Sequence, residues 1–357
     1  MGIINKENIP IKINSNIYSF NKQKFLIENF HEENKFQKVQ EPDTITAVNK
    51  LTNNKIAVIL NTIVKLYDLS DLKTPLLQIK SNCYKKITSF IQLDNDVYLY
   101  TVHCNINIIQ IKKIPFYKIL TTAKFSYNTL QTLSTINNEA ITAVICLKNQ
   151  NYFITADIKN IIIWQKNCEK YEILKKYDNS DKILDIFEIN SDLFCTSCIH
   201  VENLNFYSIE KNILIKKIKK IKFSWKQNCL CLINIKNKII LFIGGFRYIY
   251  LIDIDLLELI NKVQLEYKNE IINSVCLLKN NEENIIICGN EYYIKESNET
   301  NNGLLQFQFT DEEELIIEKV SSLKNLHEDS ITSIIHLEDN KILTGSLDKN
   351  IKILRFK

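Results

Sequence analysis

Short apolar runs broken by polar pairs recur along the whole chain, and one frame repeats: an aliphatic residue, two small or polar residues, an aliphatic residue, two more, then Leu or Ile. It reads ITAVNKL from Ile45, ITSFIQL from Ile87, ITAVICL from Ile141 and ILDIFEI from Ile183. Weaker copies, CLCLINI from Cys229 and INSVCLL from Ile272, precede a last clear one, ITSIIHL from Ile331. Successive starts are 42, 54, 42, 46, 43 and 59 residues apart. Four of these six steps lie near the ~40–45 residues of a four-stranded propeller blade. The two long steps predict insertions in the second and sixth units.

Each start is followed by a second apolar run, a polar turn and a third apolar run, as in KIAVILN and IVKLYDL of the first unit. β-branched segments of this length, without long stretches of 3.6-residue period, read as strands. The expected fold is all-β: a seven-bladed β-propeller of four-stranded antiparallel blades, with repeats starting near residues 43, 85, 139, 181, 227, 270 and 327. The last unit ends directly after its third strand, in IKILRFK, so a ring needs a fourth strand from elsewhere. The apolar segment KFLIENF at 24–30 is expected to supply it as an N-terminal closing strand. Residues 1–23 are then a tail, and 24–357 form one domain.

Composition narrows the classes open to such a chain. Hydrophobic residues make up 45% and charged residues 24%, the balance of a globular protein able to bury a core. With 6 Gly and 4 Pro, few for an all-β chain, Asn is expected to make many of the turns, since it tolerates positive φ. The 45 basic residues nearly balance 41 acidic ones, so no nucleic acid is expected as a partner on charge. Apolar runs are interrupted well short of a membrane span, which argues against membrane insertion. No apolar leader opens the sequence, and Lys6 stands where a myristoylation signal carries Ser or Thr; a cytoplasmic location is expected. Ten cysteines without a framework of close pairs read as reduced, mostly buried thiols.

The last unit carries the most specific residues. His327, then three residues, then Ile331 opening ITSIIHL, then KILTGSLDKNIKIL, resembles a repeat of the WD-repeat family. The resemblance implies a buried hydrogen-bonded tetrad: a loop His, Ser or Thr on the second strand, Asp in the following turn and Trp on the third strand. Carried over residue by residue, it implies His327, Thr344 and Asp348, with Leu354 where Trp is usual, so a partial network is expected. Other units match less fully. Trp164 holds the third-strand position in unit three, Tyr67 and Asp68 stand for the Trp-Asp pair in unit one, Ile252 and Asp253 in unit five, and Phe307 in unit six.

Candidate chemistry is sparse. FCTSCIH holds one C-x-x-C, Cys195 and Cys198, but no second pair follows at zinc-site spacing, and residues three apart on a strand face opposite sides. Cys229 and Cys231 share one strand face and read as core filler. No phosphate-cradling glycine loop, H-E-x-x-H or G-x-S-x-G occurs, and Gly244 and Gly245 precede Phe246 and Arg247 in a predicted turn. No catalytic, cofactor-binding or metal residue is assigned, and no cofactor is expected. Propellers that bind phosphoinositides carry paired Arg residues, whereas GGFRYIY has Arg247 followed by Tyr248.

Three further stretches bear on partners. IKKIKKIKF, from Ile215 to Phe223 and including Lys216 to Lys222, is expected as the outer strand of unit four, where lysines discourage edge pairing; an acidic partner or anionic lipid surface is the sharper alternative. NEYYIKESNETNNG, at 290–303, falls between the second and third strands of unit six and reads as a polar, mobile loop carrying Tyr292 and Tyr293. The insertion at 112–140 has room for a fourth strand and more, while TDEEE from Thr310 reads as a solvated turn on the opposite face.

The WD-repeat likeness implies a rigid platform. The expected function is therefore a non-catalytic scaffold or adaptor, binding other proteins of an intracellular multiprotein complex, with Phe246, Arg247, Tyr292 and Tyr293 as contact residues. The alternative is an enzyme or small-molecule binder using the central channel, which calls for converging His, Asp or Arg side chains at one channel mouth.

Overall fold

The computed structural model describes residues 39–355 apart from 82–84, 115–124, 136–138, 148–151, 179–182, 191, 199–202, 211–213, 224–226, 236–237, 281–282, 295–298, 312–314 and 338–340. These residues form 28 strands in seven antiparallel sheets of four, with no helix among them. After β1 (Val39–Gln40), the first blade is β2 (Ile45–Lys50), β3 (Lys55–Leu60), β4 (Ile63–Asp68) and β5 (Leu77–Lys80). The second is β6 (Ile87–Asp94), β7 (Val97–Val102), β8 (Asn105–Lys113) and β9 (Phe125–Ser134), and the third β10 (Ile141–Cys146), β11 (Tyr152–Asp157), β12 (Asn160–Asn167) and β13 (Lys170–Asp178). The fourth holds β14 (Ile183–Asn190), β15 (Leu193–Cys198), β16 (Asn203–Glu210) and β17 (Leu214–Lys222). The fifth holds β18 (Gln227–Ile235), β19 (Lys238–Gly245), β20 (Tyr248–Asp253) and β21 (Glu258–Gln264). In the sixth, β22 (Ile271–Asn280) leads to β23 (Glu283–Ile294), β24 (Glu299–Asp311) and β25 (Ile316–His327). The last contributes β26 (Ile331–His336), β27 (Lys341–Ser346) and β28 (Asn350–Arg355). The chain is a seven-bladed β-propeller.

All seven repeat starts lie on the first strands of their blades, β2, β6, β10, β14, β18, β22 and β26. These strands pack on one another around the ring, as β6 on β10, β10 on β14, β18 on β22, β22 on β26 and β26 on β2. Each has a β-bulge at the same place, passing over Thr46, Thr88, Thr142, Leu184, Asn228, Asn273 and Thr332. A bulge leaves a facing carbonyl without its ladder donor. The Thr hydroxyls fill that gap: Thr46 Oγ1 donates to Ile59 O (3.1 Å), Thr142 Oγ1 to Ala156 O (3.2 Å) and Thr332 Oγ1 to Gly345 O (3.1 Å). The next position reaches the following blade. Ser274 Oγ donates to Ile331 O (3.0 Å), and Ser333 Oγ accepts from Val48 N–H (2.9 Å). Small or polar residues after the first aliphatic one thus serve the bulge and the seam between blades, although Leu184 stands at the bulge of the fourth blade and Gln227 precedes that of the fifth.

Apolar packing lies between blades. Seven clusters each join two successive blades, for example Ile59 and Leu66 with Phe90 and Ile109 at the first seam. Leu343 and Ile351 of the last blade meet Ile45 and Val58 of the first, which closes the ring. The third-strand position marked in the sequence by Tyr67, Trp164, Ile252, Phe307 and Leu354 is buried every time, and Ile109 and Tyr207 occupy it in the other two blades.

β1 completes the last sheet beside β28, pairing Val39 with Ile351 and Gln40 with Asn350. Directly after it, Glu41 N–H donates to Lys349 O (2.7 Å), while the Glu41 carboxylate accepts from Lys65 Nζ and Tyr67 Oη on β4, each at 2.5 Å. An N-terminal strand therefore closes the ring, supplied in the described residues by Val39–Gln40; the segment 24–30 lies outside them.

Two expectations change or sharpen. The insertion of unit six is a paired hairpin: the β23–β24 ladder runs on through Asn290↔Gly303, Tyr292↔Asn301 and Ile294↔Glu299. Its polar residues pair through the backbone, which needs no apolar alternation. The lysine-rich run is β17, the outermost strand of the fourth blade, where Lys219 Nζ lies 3.6 Å from Glu258 of the fifth. Among the described residues no helix is long and apolar enough to cross a membrane.

Candidate functional site

The face carrying the turns between second and third strands is extended on the sixth blade, by the β23–β24 hairpin, and the short turn of the fifth blade lies beside it. β19 ends at Gly245, and a Cβ on Gly244 would stand 2.5 Å from Ile272 Cγ2, so glycine lets the sixth blade's inner strand close on the fifth. Arg247 follows with φ 65°, the left-handed region that few side chains occupy. Its N–H donates to Glu270 O (2.8 Å) and its carbonyl accepts from Leu265 N–H (2.9 Å). The Arg247 guanidinium lies 5.9 Å from the Tyr248 ring centroid, and Lys262 Nζ lies 3.8 Å from it, a cationic and aromatic surface. Phe246 is half-buried beside it, bridged to Ile271.

Glu270 ties this turn to the hairpin. Its buried carboxylate accepts from Asn290 Nδ2 (2.9 Å) and Tyr267 N–H (3.3 Å), and burial raises its pKa despite those bonds. Two residues along β23, Tyr292 is 4% exposed and stacks on Tyr267 at 4.1 Å between centroids. Tyr292 is therefore a wall residue rather than a projecting anchor, because its register position turns it onto the loop before β22; the Tyr293 side chain lies outside the described set. The structure brings Arg247 and Tyr292 together through Glu270 and Asn290, two residues that sequence reasoning passed over. A lone carboxylate just before a repeat start was the available signal.

Beneath the hairpin is a cavity of about 170 Å³, bounded by Glu266, Tyr267, Asn290, Tyr292, Lys319 and Lys324 among others. Lys319 Nζ donates to Glu266 (2.6 Å), and that bond, against partial burial, holds the Glu266 carboxyl below the ordinary range.

The last blade contains the expected latch. His327 Nδ1 meets Asp348 Oδ2 and His327 Nε2 meets Thr344 Oγ1, each at 2.8 Å. Leu354 fills the space used by Trp164 in blade three, where Trp164 Nε1 donates to Thr155 Oγ1 (2.8 Å). Blades one and six tie the same loop to the same turn with other chemistry, Asn61 Nδ2 donating to Asp43 (3.0 Å) and Asn290 Nδ2 to Glu270 (2.9 Å). These groups are committed to one another, which makes them structural.

Around the inner strands a broad basin of about 960 Å³ opens among Asn49, Lys50, Gln92 and Asp94. Asp185 on β14 keeps solvent contact, yet the surrounding protein withdraws enough water to push its carboxyl up to about 6, against the Ile186 N–H it accepts (2.8 Å). His336 is shifted down by burial and then by Lys50, but it lies on β26 of the last blade, not beside Asp185 on β14 of the fourth. Burial also pushes the Cys195, Cys229 and Cys288 thiols up. No group of three or more His, Cys, Asp or Glu suited to a metal occurs among the described residues. No family model and no curated protein matches the chain.

Proposed function

We propose that this chain is a non-catalytic scaffold or adaptor that holds partner proteins in an intracellular complex. The observation that carries the reading is the β23–β24 hairpin, a paired extension of one blade running past the point where β19 and β27 stop at Gly245 and Ser346. Its base is fastened by Asn290 to Glu270 and by Tyr292 to Tyr267, on a ring with seven apolar seams. A contact surface already ordered before binding loses little entropy on association. Phe246 and Arg247 flank the hairpin and supply aromatic and guanidinium contact.

Two observations support the rest of the reading. The propeller ring with its His327–Asp348–Thr344 latch agrees with the WD-repeat resemblance, whose implied role is a platform. The cysteines of the described residues are free thiols, which suits a reducing, cytoplasmic compartment. Strand β17, with Lys216 and Lys222, is a second, lateral surface for an acidic partner.

The test is affinity purification of the tagged full chain from its own cells, beside a variant in which residues 293–300 are replaced by Asn-Gly, a two-residue turn that fits a hairpin. A stoichiometric set of proteins with the natural chain, and loss of members with the trimmed one at unchanged thermal stability, is expected. A chain that purifies alone, or a trimmed chain that keeps the full set, overturns the reading.

A further inference from the structure

The outer strands share a feature that the core does not need. From the second blade to the sixth, the ladder between third and fourth strands skips one residue of the outer strand: Leu130, Leu174, Ile218, Ile260 and Val320. Each skip falls beside the buried third-strand position, so the five residues stand at the same level of five successive blades. A bulge bends its strand and re-aims the residues next to it. The residue directly after the skip uses that turn to reach the next blade: Gln131 Nε2 donates to Tyr171 O (2.8 Å), Lys219 Nζ lies 3.6 Å from Glu258, and Asn261 Nδ2 donates to Leu315 O (3.4 Å). This duty ties neighbouring outer strands together, but it sets no side chain at the skipped position itself.

All five skipped residues are aliphatic nonetheless, and three stand well out in water, Leu130 at 52%, Leu174 at 39% and Ile260 at 37% exposed. Neighbours enlarge two of them into patches: Ile173 (40%) beside Leu174, and Leu256 (65%) with Leu259 (43%) beside Ile260. Single exposed aliphatic residues are ordinary, whereas contiguous ones edged by charge mark a contact surface. The blade between the two patches has the lysine-rich β17 as its outer strand. Together β13, β17 and β21 carry nine lysines against three acidic residues, in a chain whose net charge is +4. The rim of blades three to five is therefore basic and aliphatic at once.

That combination selects an occupant. A second copy of this rim would set lysines against lysines. An anionic bilayer would suit the charge, but β13, β17 and β21 are the outermost strands of their sheets, with no strand on their outward side. Sinking their aliphatic side chains into lipid would leave edge N–H and C=O groups without hydrogen bonds, which a polypeptide in water avoids. We infer that the rim of blades three to five receives an acidic segment of a partner protein that carries large apolar side chains: its carboxylates meet the lysines of β13 and β17, and its apolar groups cover Ile173, Leu174, Leu259 and Ile260. The source of the segment rests on the platform reading; the chemistry of the rim does not.

Fluorescence anisotropy of the full chain with three labelled peptides of alternating residues, Glu-Leu, Lys-Leu and Glu-Ser, tests it. The Glu-Leu peptide is expected to bind at least about tenfold more tightly than either of the others. Leu174→Ser with Ile260→Ser should weaken that binding about fivefold, and Lys216→Glu with Lys220→Glu about tenfold with a shallower salt dependence, both at unchanged Tm. Lys73→Glu, at an exposed position of the first blade, should leave it as it was. Equal binding of the three peptides, binding of none, an equal loss in Lys73→Glu, or full binding by both rim variants overturns the inference. Phosphatidylserine vesicles that bind the chain when the Glu-Leu peptide does not overturn it in favour of a membrane. A natural partner set that survives both rim variants overturns the rim as its seat and spares the platform. A chain that binds the Glu-Leu peptide but purifies alone supports the rim chemistry and overturns the platform.

Discussion

Removing the Asp348 carboxylate isolates the latch of the last blade. It accepts from His327 Nδ1 (2.8 Å), Glu328 N–H (3.0 Å) and Asn350 N–H (2.8 Å), and the His327 and Asp348 side chains are 0% and 3% exposed. At about 1 kcal/mol net for each bond, plus the cost of a buried His nitrogen left without its partner, Asp348→Ala should lose about 3–5 kcal/mol. That corresponds to a Tm lowered by roughly 4–7 °C in a chain of 357 residues. The loss should depend on pH. Burial alone would raise the Asp348 carboxyl, but the His327 charge and the Glu328 and Asn350 N–H groups outweigh it and hold it below 3.8. A lowered pKa contributes stability that is complete above the unfolded value and lost as pH falls through the folded one. Urea unfolding of both chains across pH should therefore show a constant gap from about pH 7 to 5, closing below 3.8. A gap that persists unchanged in acid, or one under about 1 kcal/mol at neutral pH, refutes this account of the latch.

Three other outcomes follow from the packing. Gly345→Ala would put a Cβ 2.7 Å from Val48 Cγ2 at the seam between last and first blades; a loss of about 1–3 kcal/mol in chemical denaturation is expected, and an unchanged midpoint would mean a looser closure. Trp164→Phe leaves Thr155 Oγ1 without its indole donor and should cost about 1–3 kcal/mol, part of which a further Thr155→Val restores; no recovery would contradict the bond's role. Timed alkylation read by mass spectrometry should modify exposed Cys168 in the native protein, and Cys195 and Cys288, buried with raised thiols, only on unfolding; simultaneous labelling would refute their burial.

The ring was legible because its rules are local and repeat seven times. Ile45, Ile87, Ile141, Ile183, Cys229, Ile272 and Ile331 all mark inner strands; in five of them the bulge places Thr or Asn directly after the aliphatic start, while Leu184 takes that place in the fourth and the bulge of the fifth precedes Cys229. The third-strand position was visible in five units, at Tyr67, Trp164, Ile252, Phe307 and Leu354, whereas Ile109 and Tyr207 were not marked, because burial there selects an apolar body rather than one residue type. Other features left little pattern. A two-residue closing strand is too short for alternation, and Glu41 beside Pro42 looks like turn material although its carboxylate is buried against Lys65 and Tyr67. The Asn-rich hairpin looked like a loop because its pairing is carried by backbone groups. The cavity depends on a ladder break beside Gly303 and on residues from three segments far apart in sequence, a convergence that no spacing announces.

The central claim is that partners sit on the face formed by blades five and six. Lysine-directed cross-linking of the complex isolated from its own cells, read by mass spectrometry, tests it most directly. The account predicts inter-protein links concentrated at Lys262, Lys268, Lys319 and Lys324, which flank the Arg247 turn and the hairpin base. Links confined to the β17 lysines, or to Lys50 at the inner strands, would contradict it.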